Sequence, residues 1–397
     1  MDLAYGPEYE AYRAQVRAFL AAHWPPKDGA DRRKAEAHFR KAAVDAGYLY
    51  RAVPKAYGGS EQPVDVLKGQ VIRDEFAQAR APGEIPGIGT MMVVPTLLQC
   101  GTQAQKERFV AKTLTGEYRW AQGYSEPNAG SDLASLKTRA ALVEGRWVIN
   151  GQKIWSTLAQ HAHYMFLLAR TEPDAPTKHA GLSYLLLDLK QPGVTIRPLK
   201  QITGGSEFCE VFFDDASTPA EWIVGERGDG WRVSKATLSH ERSAIGGAAT
   251  SVTLFEKLVE LARTSTYQGQ PALQHPIVRD RLAALAGFVE SHRYSSYRQL
   301  SMDVHGQDPG PVALMSKLVN TQIGHEVARI AKELLGDALL LAPPAEGAKA
   351  AGAEKWNNQF FGSLGVAIAG GTSNIQRNVI AERGYGLPRD PAQGGER

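Results

Sequence analysis

Three short segments of the chain carry residue types that could bind a flat, anionic ligand, and the first spans residues 122–132. Its sequence, QGYSEPNAGSD, supplies hydroxyls, small side chains and backbone amides. Glycine lets such a backbone come close to a planar ring or to anionic oxygens, and serine can donate hydrogen bonds to them. The same composition also suits an ordinary turn with an asparagine cap, so this segment indicates either a binding loop or a turn.

The second segment places an aromatic ring and two hydroxyls next to one another, as Trp155, Ser156 and Thr157. The tryptophan could stack on the face of a flat ligand, although a tryptophan at a strand position is more often part of a core. Just before this segment, Asn150 and Gly151 lie between two β-rich runs, and both residue types tolerate positive φ. We therefore predict a β-hairpin with its turn at this Asn-Gly pair.

The third segment lies near the C-terminus and spans residues 370–383. Its double glycine, Gly370 and Gly371, separates two helical patterns and is followed by Thr372 and Ser373. A threonine or serine at the start of a helix caps its free amides, and such amides suit a phosphate or the polar edge of a ring. An ordinary kink between two helices is an equally good local interpretation.

Helical patterns occupy the chain before the first segment. Apolar residues recur with the spacing of a half-buried helix from Tyr9 to Leu20, until Pro25 interrupts the pattern. Further helices are predicted around residues 39–44, 64–76 and 102–114. Thr102 and Gln105 have the spacing of a capping box, which predicts where the last of these helices begins.

After residue 116 the pattern changes to short β-rich runs, which indicate a β domain. The predicted strands are 146–149, 164–169, 182–189, 194–198 and 209–213. From residue 230 onward long helical patterns return, with glycine and proline between them, and they predict a helical bundle. This order of helices, a small β barrel or sandwich, and helices again differs from the alternating strands and helices of a Rossmann protein.

Length and composition set further limits on the class of protein. A chain of 397 residues exceeds the size at which one hydrophobic core usually stops growing, so two or three packed units are expected. The net charge is only +3 and the basic residues are scattered, which argues against nucleic-acid binding. No apolar run approaches the ~20 residues of a membrane span, and we find no export signal. Two cysteines without a CxxC pair fit a reducing cytoplasm.

In this order and at these separations, the three segments resemble the acyl-CoA dehydrogenases, and the resemblance extends from about residue 5 to residue 390. Supporting motifs lie at 53–59, 100–106 and 228–242. The resemblance implies an α+β fold of the acyl-CoA dehydrogenase type, with an N-terminal helical domain (1–118), a middle β barrel or sandwich (119–228) and a C-terminal helical bundle (229–397). It also implies an FAD-dependent oxidoreductase of fatty acid or lipid metabolism that desaturates an acyl-CoA thioester.

The resemblance assigns a set of side chains to the binding of FAD. They are Gln122, Ser125 and Ser131 in the first segment, Trp155, Ser156 and Thr157 in the second, and Thr372 and Asn374 in the third. Ser125 is expected near the flavin ring, and Ser131 is expected at the pyrophosphate or at the substrate. Thr372 and Asn374 are expected on the phosphate or adenosine side of the cofactor.

The chemistry of this family requires a carboxylate that removes the α-proton of the thioester while a hydride leaves the β-carbon for flavin N5. The commonest position for this base directly precedes the Gly-Thr pair of the third segment, where this chain has Gly370. Relatives similar to isovaleryl-CoA, long-chain and some bacterial steroid-CoA dehydrogenases carry the glutamate on the first long helix of the C-terminal domain. Glu241 has the matching place in this chain.

An apolar cleft would raise the pKa of Glu241 toward the range that suits a general base. The alternative is a structural ion pair with Arg242 or a solvated helix face, but the loss of a side chain at Gly370 favours catalysis. Arg242 is expected to orient the carboxylate and to contact substrate, or else to pack as an ordinary arginine. His240 is not expected to act as the base, because its neighbouring position on a helix points about 100° away.

Two further departures from the family pattern concern the expected FAD site. The family commonly has an arginine before an aromatic-glycine pair and a glutamine after a histidine, whereas this chain has Ser265 and Pro276. These replacements leave open whether the pyrophosphate and cross-subunit contacts follow the common pattern, and how many FAD molecules each subunit binds.

The resemblance also implies an electron-transfer flavoprotein as the oxidant and a homo- or hetero-oligomer, either a dimer or a tetramer. Two other functions are compatible with the same sequence. One is a catalytically silent partner subunit that completes the FAD site of another chain, and activity restored only by a related chain would indicate it. The other is a flavin oxidase or monooxygenase on the same fold, which rapid reaction of the reduced flavin with oxygen would indicate.

Overall fold

The computed structural model describes residues 6–26, 31–245, 247–340 and 352–388, without the side chains of 241–245 and 340. The chain divides into two compact units. The first contains Met1–Leu199 and Glu207–His240, and the second contains Lys200–Ser206 and Glu241–Arg397. The predicted boundaries of three domains at residues 118 and 228 stay predictions.

Helices open the first unit, as the sequence predicts. They are α1 (Pro7–His23), α2 (Arg32–Asp45), α3 (Val66–Gln78), α4 (Val94–Cys100) and α5 (Gln103–Leu114). The predicted capping box is present at α5, where the Gln105 amide donates to Thr102 Oγ1 at 3.3 Å and the Thr102 amide donates to Gln105 Oε1 at 3.1 Å. Gln105 Nε2 also donates to the carbonyls of Glu221 and Ile223, so the helix start is tied to the strand region.

A twisted β-sheet follows the helices in the first unit. Its strands are β1 (Trp120–Gly123), β2 (Arg139–Val143), β3 (Arg146–Lys153), β4 (Tyr164–Arg170), β5 (Leu182–Asp188), β6 (Val194–Leu199), β7 (Phe208–Pro219) and β8 (Ile223–Val224). The strand order is β6-β7-β3-β2-β4-β5-β8, with β1 paired to β4. Neighbouring strands are antiparallel except that β1 and β2 run parallel to β4.

The two central strands β4 and β5 are apolar on both faces, because each face packs against a different core. Phe166 and Tyr184 stack at 5.8 Å between ring centroids and belong to the core shared with the N-terminal helices. Met165 and Leu185 point to the opposite face of the sheet and belong to a second hydrophobic core, which is formed mainly by side chains of the strands. Side chains alternate along a strand, so burial on both faces produces a continuous apolar run rather than an alternating one.

The predicted hairpin turn at Asn150 and Gly151 is wrong. Both residues lie inside the continuous strand β3, and the register with β7 shifts between Ile149 and Gly151, which is a β-bulge. The turn lies instead at Glu144 and Gly145, with φ of 47° and 77°, between β2 and β3. Asn150 Nδ2 donates to Asp215 Oδ1 on β7, and the Asp215 backbone amide donates to Asn150 Oδ1, so cross-strand pairing overrides the local turn preference.

The second unit is mainly helical. Its helices are α7 (Ala248–Thr264), α8 (Pro276–Val304), α9 (Pro311–Leu335), α10 (Ala353–Ile368) and α11 (Ser373–Val379), and the unit boundary falls within α6 (Gly230–Ile245). A two-stranded pair, β9 (Thr266–Tyr267) and β10 (Gln270–Pro271), connects α7 to α8. The core of this unit is formed by α7, α8, α9 and the aromatic ring of Trp356 on α10. The α+β class predicted from the sequence is therefore confirmed.

None of the described helices combines enough length with enough apolar character to cross a lipid bilayer.

Candidate functional site

The first predicted segment leaves β1 at Gly123 and forms a tight loop. A Cβ atom at Gly123 would lie 2.5 Å from Met165 Sδ, so a larger residue at this position would displace the Met165 side chain of β4. Three residues later, the backbones of Glu126 and Ala129 exchange two hydrogen bonds of 3.0 and 3.1 Å. The loop is therefore a compact turn and not an extended connection.

A buried ion pair holds this loop against β3. Lys153 has no exposed surface and Glu126 is 8% exposed. Lys153 Nζ donates to Glu126 Oε1 at 2.9 Å and to the Tyr124 carbonyl at 3.0 Å. The two carboxylate oxygens of Glu126 also accept the backbone amides of Lys137 and Thr138, at 2.6 and 2.8 Å. Glu126 therefore closes the loop on itself, and Lys153 fixes the closed loop to the sheet.

Both members of this pair are charged in spite of their burial. Desolvation lowers the pKa of Lys153 to about 8, against the attraction of Glu126. Desolvation acts to raise the pKa of Glu126, but the charge of Lys153 and the hydrogen bonds from Thr138 and Lys137 together lower it below its ordinary value. Near pH 7 the site therefore contains a lysinium and a carboxylate in direct contact.

The second predicted segment lies next to the first, because the Ile154 amide donates to the Ser125 carbonyl at 2.9 Å. Trp155 and Leu158 have φ of 62° and 54°, in the left-handed region that bulky residues rarely adopt. The Trp155 side chain is 57% exposed, and its ring meets the edge of Phe208 at 5.8 Å between centroids. A strained backbone thus presents a largely uncovered aromatic ring beside the first loop.

The three side chains predicted to line the ligand in this segment alternate in direction. Trp155 and Thr157 are exposed, whereas Ser156 is fully buried. The Ser156 amide donates to the Cys209 carbonyl at 3.1 Å, and its hydroxyl has no hydrogen-bond partner among the described residues. The surface of the segment is therefore formed by the ring of Trp155 and the hydroxyl of Thr157.

The structure brings only some of the predicted residues of the first unit together. Ser125 is half-buried and adjoins the second segment, and Gln122 is half-buried on β1. Ser131 is exposed and lies further along the loop, beside Asp132. The Asp132 carboxylate accepts a hydrogen bond of 2.9 Å from Lys178 Nζ. The roles of these residues in FAD binding stay predictions.

The third predicted segment belongs to the second unit and begins with a left-handed double glycine. Gly370 and Gly371 have φ of 62° and 97°. Gln376 Nε2 donates to the Gly370 carbonyl at 2.9 Å, and the buried Lys317 donates from Nζ to the Gly371 carbonyl at 2.8 Å. The turn is therefore held by two side chains that bind its backbone.

Thr372 is the N-cap of α11, as predicted, and its hydroxyl accepts the Ile375 amide at 3.3 Å. Asn374 is exposed, and its Oδ1 accepts Arg377 Nη1 at 3.1 Å. The local prediction of a helix start after the double glycine is confirmed. The predicted contacts of Thr372 and Asn374 with a cofactor stay predictions.

The predicted base and its neighbour lie on α6. Glu241 and Arg242 are part of this helix, but their side chains lie outside the described residues. His240 precedes them, half-buried, and its Nε2 has no partner among the described residues. Burial lowers the pKa of His240, so this imidazole is neutral near pH 7.

Sequence reasoning missed four residues that hold the predicted loops in place, namely Lys153, Glu126, Lys317 and Gln376. Each makes a hydrogen bond to a partner that is distant in the sequence or has no recognisable sequence pattern. One such partner is the carbonyl of Gly371, which lies 54 positions after Lys317. One signal was available for Lys153, since it continues the inward-facing alternation of β3 after the bulge. Among the described residues, no group of three histidine, cysteine or acidic side chains is placed to bind a metal ion.

Sequence models of one family match three consecutive parts of the chain. They are described as the N-terminal, middle and C-terminal domains of acyl-CoA dehydrogenase, and they match residues 6–117, 121–216 and 228–385. The chain belongs to the acyl-CoA dehydrogenase family, whose members are flavoprotein oxidoreductases. The resemblance seen in the three segments is therefore confirmed, with matches that lie between residues 6 and 385.

Named relatives and solved structures agree with this assignment. Acyl-CoA dehydrogenase IpdE1 of Mycolicibacterium smegmatis is 39% identical, over 96% of this chain and 99% of the relative. The ChsE4-ChsE5 complex from Mycobacterium tuberculosis has a chain that is 29% identical with a TM-score of 0.76, and the match covers 98% of this chain and 100% of that one. The Tcur3481-Tcur3483 steroid ACAD has a chain with 29% identity, a TM-score of 0.77 and the same coverage.

Proposed function

We propose that this chain catalyses the FAD-dependent α,β-desaturation of an acyl-CoA thioester. The observation that carries the proposal is the pair of loops in the first unit, where a buried lysine joins the Ser125 loop to the strand that leads into Trp155. A strained backbone that holds a large aromatic ring toward solvent costs free energy, and such costs are typical of functional sites. Membership of the acyl-CoA dehydrogenase family supplies the reaction class.

The residues present fit a flavin, because the 57% exposed ring of Trp155 offers a flat apolar face and the exposed Thr157 offers a hydroxyl beside it. The proposed contacts in the first unit are Gln122, Ser125, Ser131, Trp155, Ser156 and Thr157. Those in the second unit are Thr372 and Asn374. FAD, when bound, would accept the hydride that leaves the β-carbon of the acyl group.

Glu241 is the proposed general base. Gly370 occupies the commonest family position for that base and has no side chain that could accept a proton. The carboxylate of Glu241 would take the α-proton of the thioester, and the electron pair of that C–H bond would form the new double bond as the hydride leaves the β-carbon. Arg242, the next residue on α6, would orient this carboxylate and contact the substrate.

The proposed substrate class is a bulky acyl-CoA such as a steroid derivative. Two observations support it. Gly370 leaves the room that a carboxylate side chain would otherwise fill, and a chain of the Tcur3481-Tcur3483 steroid ACAD matches this chain over 98% of its length. Activity confined to short straight-chain acyl-CoAs would contradict this part of the proposal.

The proposed partners are an electron-transfer flavoprotein, as the acceptor of electrons from the reduced cofactor, and a second subunit. The matched structures described as ChsE4-ChsE5 and Tcur3481-Tcur3483 each contain two different chains, which supports a hetero-oligomer, and a homo-oligomer is the alternative. We also propose a cytoplasmic location, supported by the free thiols of Cys100 and Cys209.

Anaerobic bleaching of the FAD-loaded protein tests the reaction and its base. Wild type, Glu241→Gln and Glu256→Gln would each be mixed with a panel of straight, branched and steroid acyl-CoAs. Glu256 is an exposed glutamate on α7 and serves as the matched control. We expect wild type and Glu256→Gln to lose the absorbance of oxidised flavin, and Glu241→Gln to keep it while still binding FAD.

Two results would overturn parts of this proposal. Bleaching by Glu241→Gln at the wild-type rate would remove Glu241 as the base. A FAD-loaded wild type that never bleaches, but gains activity when a related chain is added, would identify this chain as the catalytically silent partner subunit.

A further inference from the structure

The turn at the start of the third segment is bound by two buried side chains, one of which belongs to another helix. Gly370 and Gly371 both have left-handed φ, and the carbonyl of each accepts a side-chain hydrogen bond. Gln376 Nε2 donates to the Gly370 carbonyl at 2.9 Å, and Lys317 Nζ of α9 donates to the Gly371 carbonyl at 2.8 Å. Both donor residues are 3% exposed, so water competes little for either bond. The conformation of the turn is therefore held by two shielded donors.

Helix α11, which begins at this turn, is too short to be stable without tertiary contacts. It has seven residues, and isolated helices shorter than about 12–15 residues are marginal in water. Both of its ends adjoin α9. The bond between Lys317 and Gly371 joins the first end, and beyond the second end a Cβ atom at Gly384 would lie 3.2 Å from Pro311 Cβ. The place of α11 therefore depends on its contacts with α9.

A lysine at position 317 is not explained by packing alone. Removal of an ammonium group from water has a desolvation cost, and apolar side chains of similar volume often replace buried charges without loss of stability. Methionine, which has a similar length, would satisfy the packing. Lysine differs because its ammonium group donates to a backbone carbonyl. That bond fixes the direction of the peptide group between Gly371 and Thr372.

Glycine at position 371 leaves the space that the second donor fills. A Cβ atom there would lie 2.7 Å from Gln376 Nε2. The Gln376 backbone amide also donates to the Thr372 carbonyl at 2.9 Å, so this residue binds the turn through its side chain and the start of α11 through its backbone. The turn and the helix start therefore form one hydrogen-bonded group, which Lys317 joins to α9.

Thr372 and Asn374, the proposed FAD contacts of this segment, directly follow the turn. Thr372 caps α11, and Asn374 is exposed in its first turn. Their positions depend on the direction in which the chain leaves Gly371. We propose that Lys317 and Gln376 are positioning residues for FAD, which act through the backbone of the double glycine and do not contact the cofactor themselves. This inference rests on the proposed function.

Hydrogen exchange of the FAD-free protein, measured by mass spectrometry, tests the local part of this inference. The test variants are Lys317→Met and Gln376→Leu. Their controls are Lys257→Met and Gln322→Leu, which change an exposed lysine of α7 and an exposed glutamine of α9. We expect the amides of residues 370–379 to exchange about tenfold faster in both test variants and to keep the wild-type rate in both controls. Equal exchange in test and control variants would overturn the inference without any measurement on the cofactor.

Calorimetric binding of FAD to the same proteins tests whether the turn serves the cofactor. We expect each test variant to weaken FAD binding about tenfold, since the loss of one buried hydrogen bond changes an affinity by roughly that factor. Asn374→Ala should weaken FAD binding as well. Lys317→Met combined with Asn374→Ala should weaken it by less than the product of the two single effects, because the lysine acts through the position of the asparagine. Gln376→Leu removes only a neutral partner, so it tests the same turn if Lys317→Met does not fold.

The possible results separate this inference from the proposed function. Effects of Lys317→Met and Asn374→Ala that multiply would show independent action and would overturn the positioning role. Faster exchange at residues 370–379 with unchanged FAD affinity would limit both donors to stabilising the fold, and would overturn it too. A wild-type protein that binds no FAD would refute the proposed function, and this inference with it, even where the exchange rates change as expected.

Discussion

Replacement of Lys153 by methionine is expected to destabilise the first unit strongly. Methionine keeps most of the length of the lysine side chain but has no charge and no proton to donate. Glu126, only 8% exposed, would keep its negative charge with the two backbone amides of Lys137 and Thr138 as its remaining partners. The Tyr124 carbonyl would lose a donor as well.

The expected magnitude follows from this geometry. Removing one partner of a buried ion pair costs about 3–5 kcal/mol, because the other charge stays buried without compensation. The two amides that still bind Glu126 place the cost at the lower end, about 3 kcal/mol. For a unit of this size, about 1 kcal/mol corresponds to a shift of about 2–4 °C, so the midpoint of thermal unfolding should fall by about 6–12 °C.

Thermal unfolding of the FAD-free protein, followed by circular dichroism, provides the measurement. The double variant Lys153→Met with Glu126→Gln should recover most of the loss, because a neutral pair removes the buried charge. Lys178→Met is the control, since the Lys178–Asp132 pair is 44% and 59% exposed and should contribute less than about 1 kcal/mol. The reasoning would be refuted if Lys153→Met unfolded within about 2 °C of Lys178→Met, or if the double variant were no more stable than the single one.

Three further predictions concern the binding of FAD by Trp155, the backbone strain at two glycines and the charge of Glu126. Trp155→Ala should lower the unfolding free energy of the FAD-free protein by about 1 kcal/mol or less, since the ring is largely exposed. The same substitution should weaken FAD binding about tenfold, and an unchanged FAD dissociation constant would exclude the stacking role. Gly151→Ala should cost about 3 kcal/mol in denaturant unfolding, because φ is 147° and the new Cβ would lie 2.6 Å from Thr138 Oγ1. Gly145→Ala, with φ of 77° and open space around it, should cost only about 1 kcal/mol, and equal costs would contradict the steric argument. Because the folded pKa of Glu126 lies below its ordinary value, its stabilising effect is fully present above the unfolded pKa and is lost as the pH falls through the folded pKa. The difference in unfolding midpoint between wild type and Glu126→Gln should therefore stay constant above about pH 5 and shrink as the pH falls below the ordinary glutamate value of about 4.3, and a difference that stays constant to low pH would show that the pair does not titrate as described.

Local patterns in the sequence were enough to predict much of the architecture. The helical period from Tyr9 to Leu20 predicted α1, and the spacing of Thr102 and Gln105 predicted the start of α5. Thr372 after the double glycine predicted the start of α11. These features depend on hydrogen bonds and burial within a single helix, so the residues that decide them are close together in the sequence.

The candidate site was predictable only in part, for the same reason. The three motif segments marked where the loops would lie, and the family match confirms what those segments resemble. The sequence did not indicate that Ser156 faces inward while Trp155 and Thr157 face outward, because the direction of each side chain depends on the positive φ of Trp155.

What the amino-acid sequence determined by itself was the order of helical and β regions, the helix starts and the family. Only the tertiary structure decided the rest. Asn150 and Gly151 have the local preference of a hairpin turn, yet pairing with β7 keeps both inside β3, opposite a bulge in β7. Lys153 has the local character of a surface lysine, yet it is fully buried because Glu126, 27 positions earlier, supplies the opposite charge. A charge can be buried only where its partner is already held in place, and that condition is met by the folded chain and not by any single stretch of sequence.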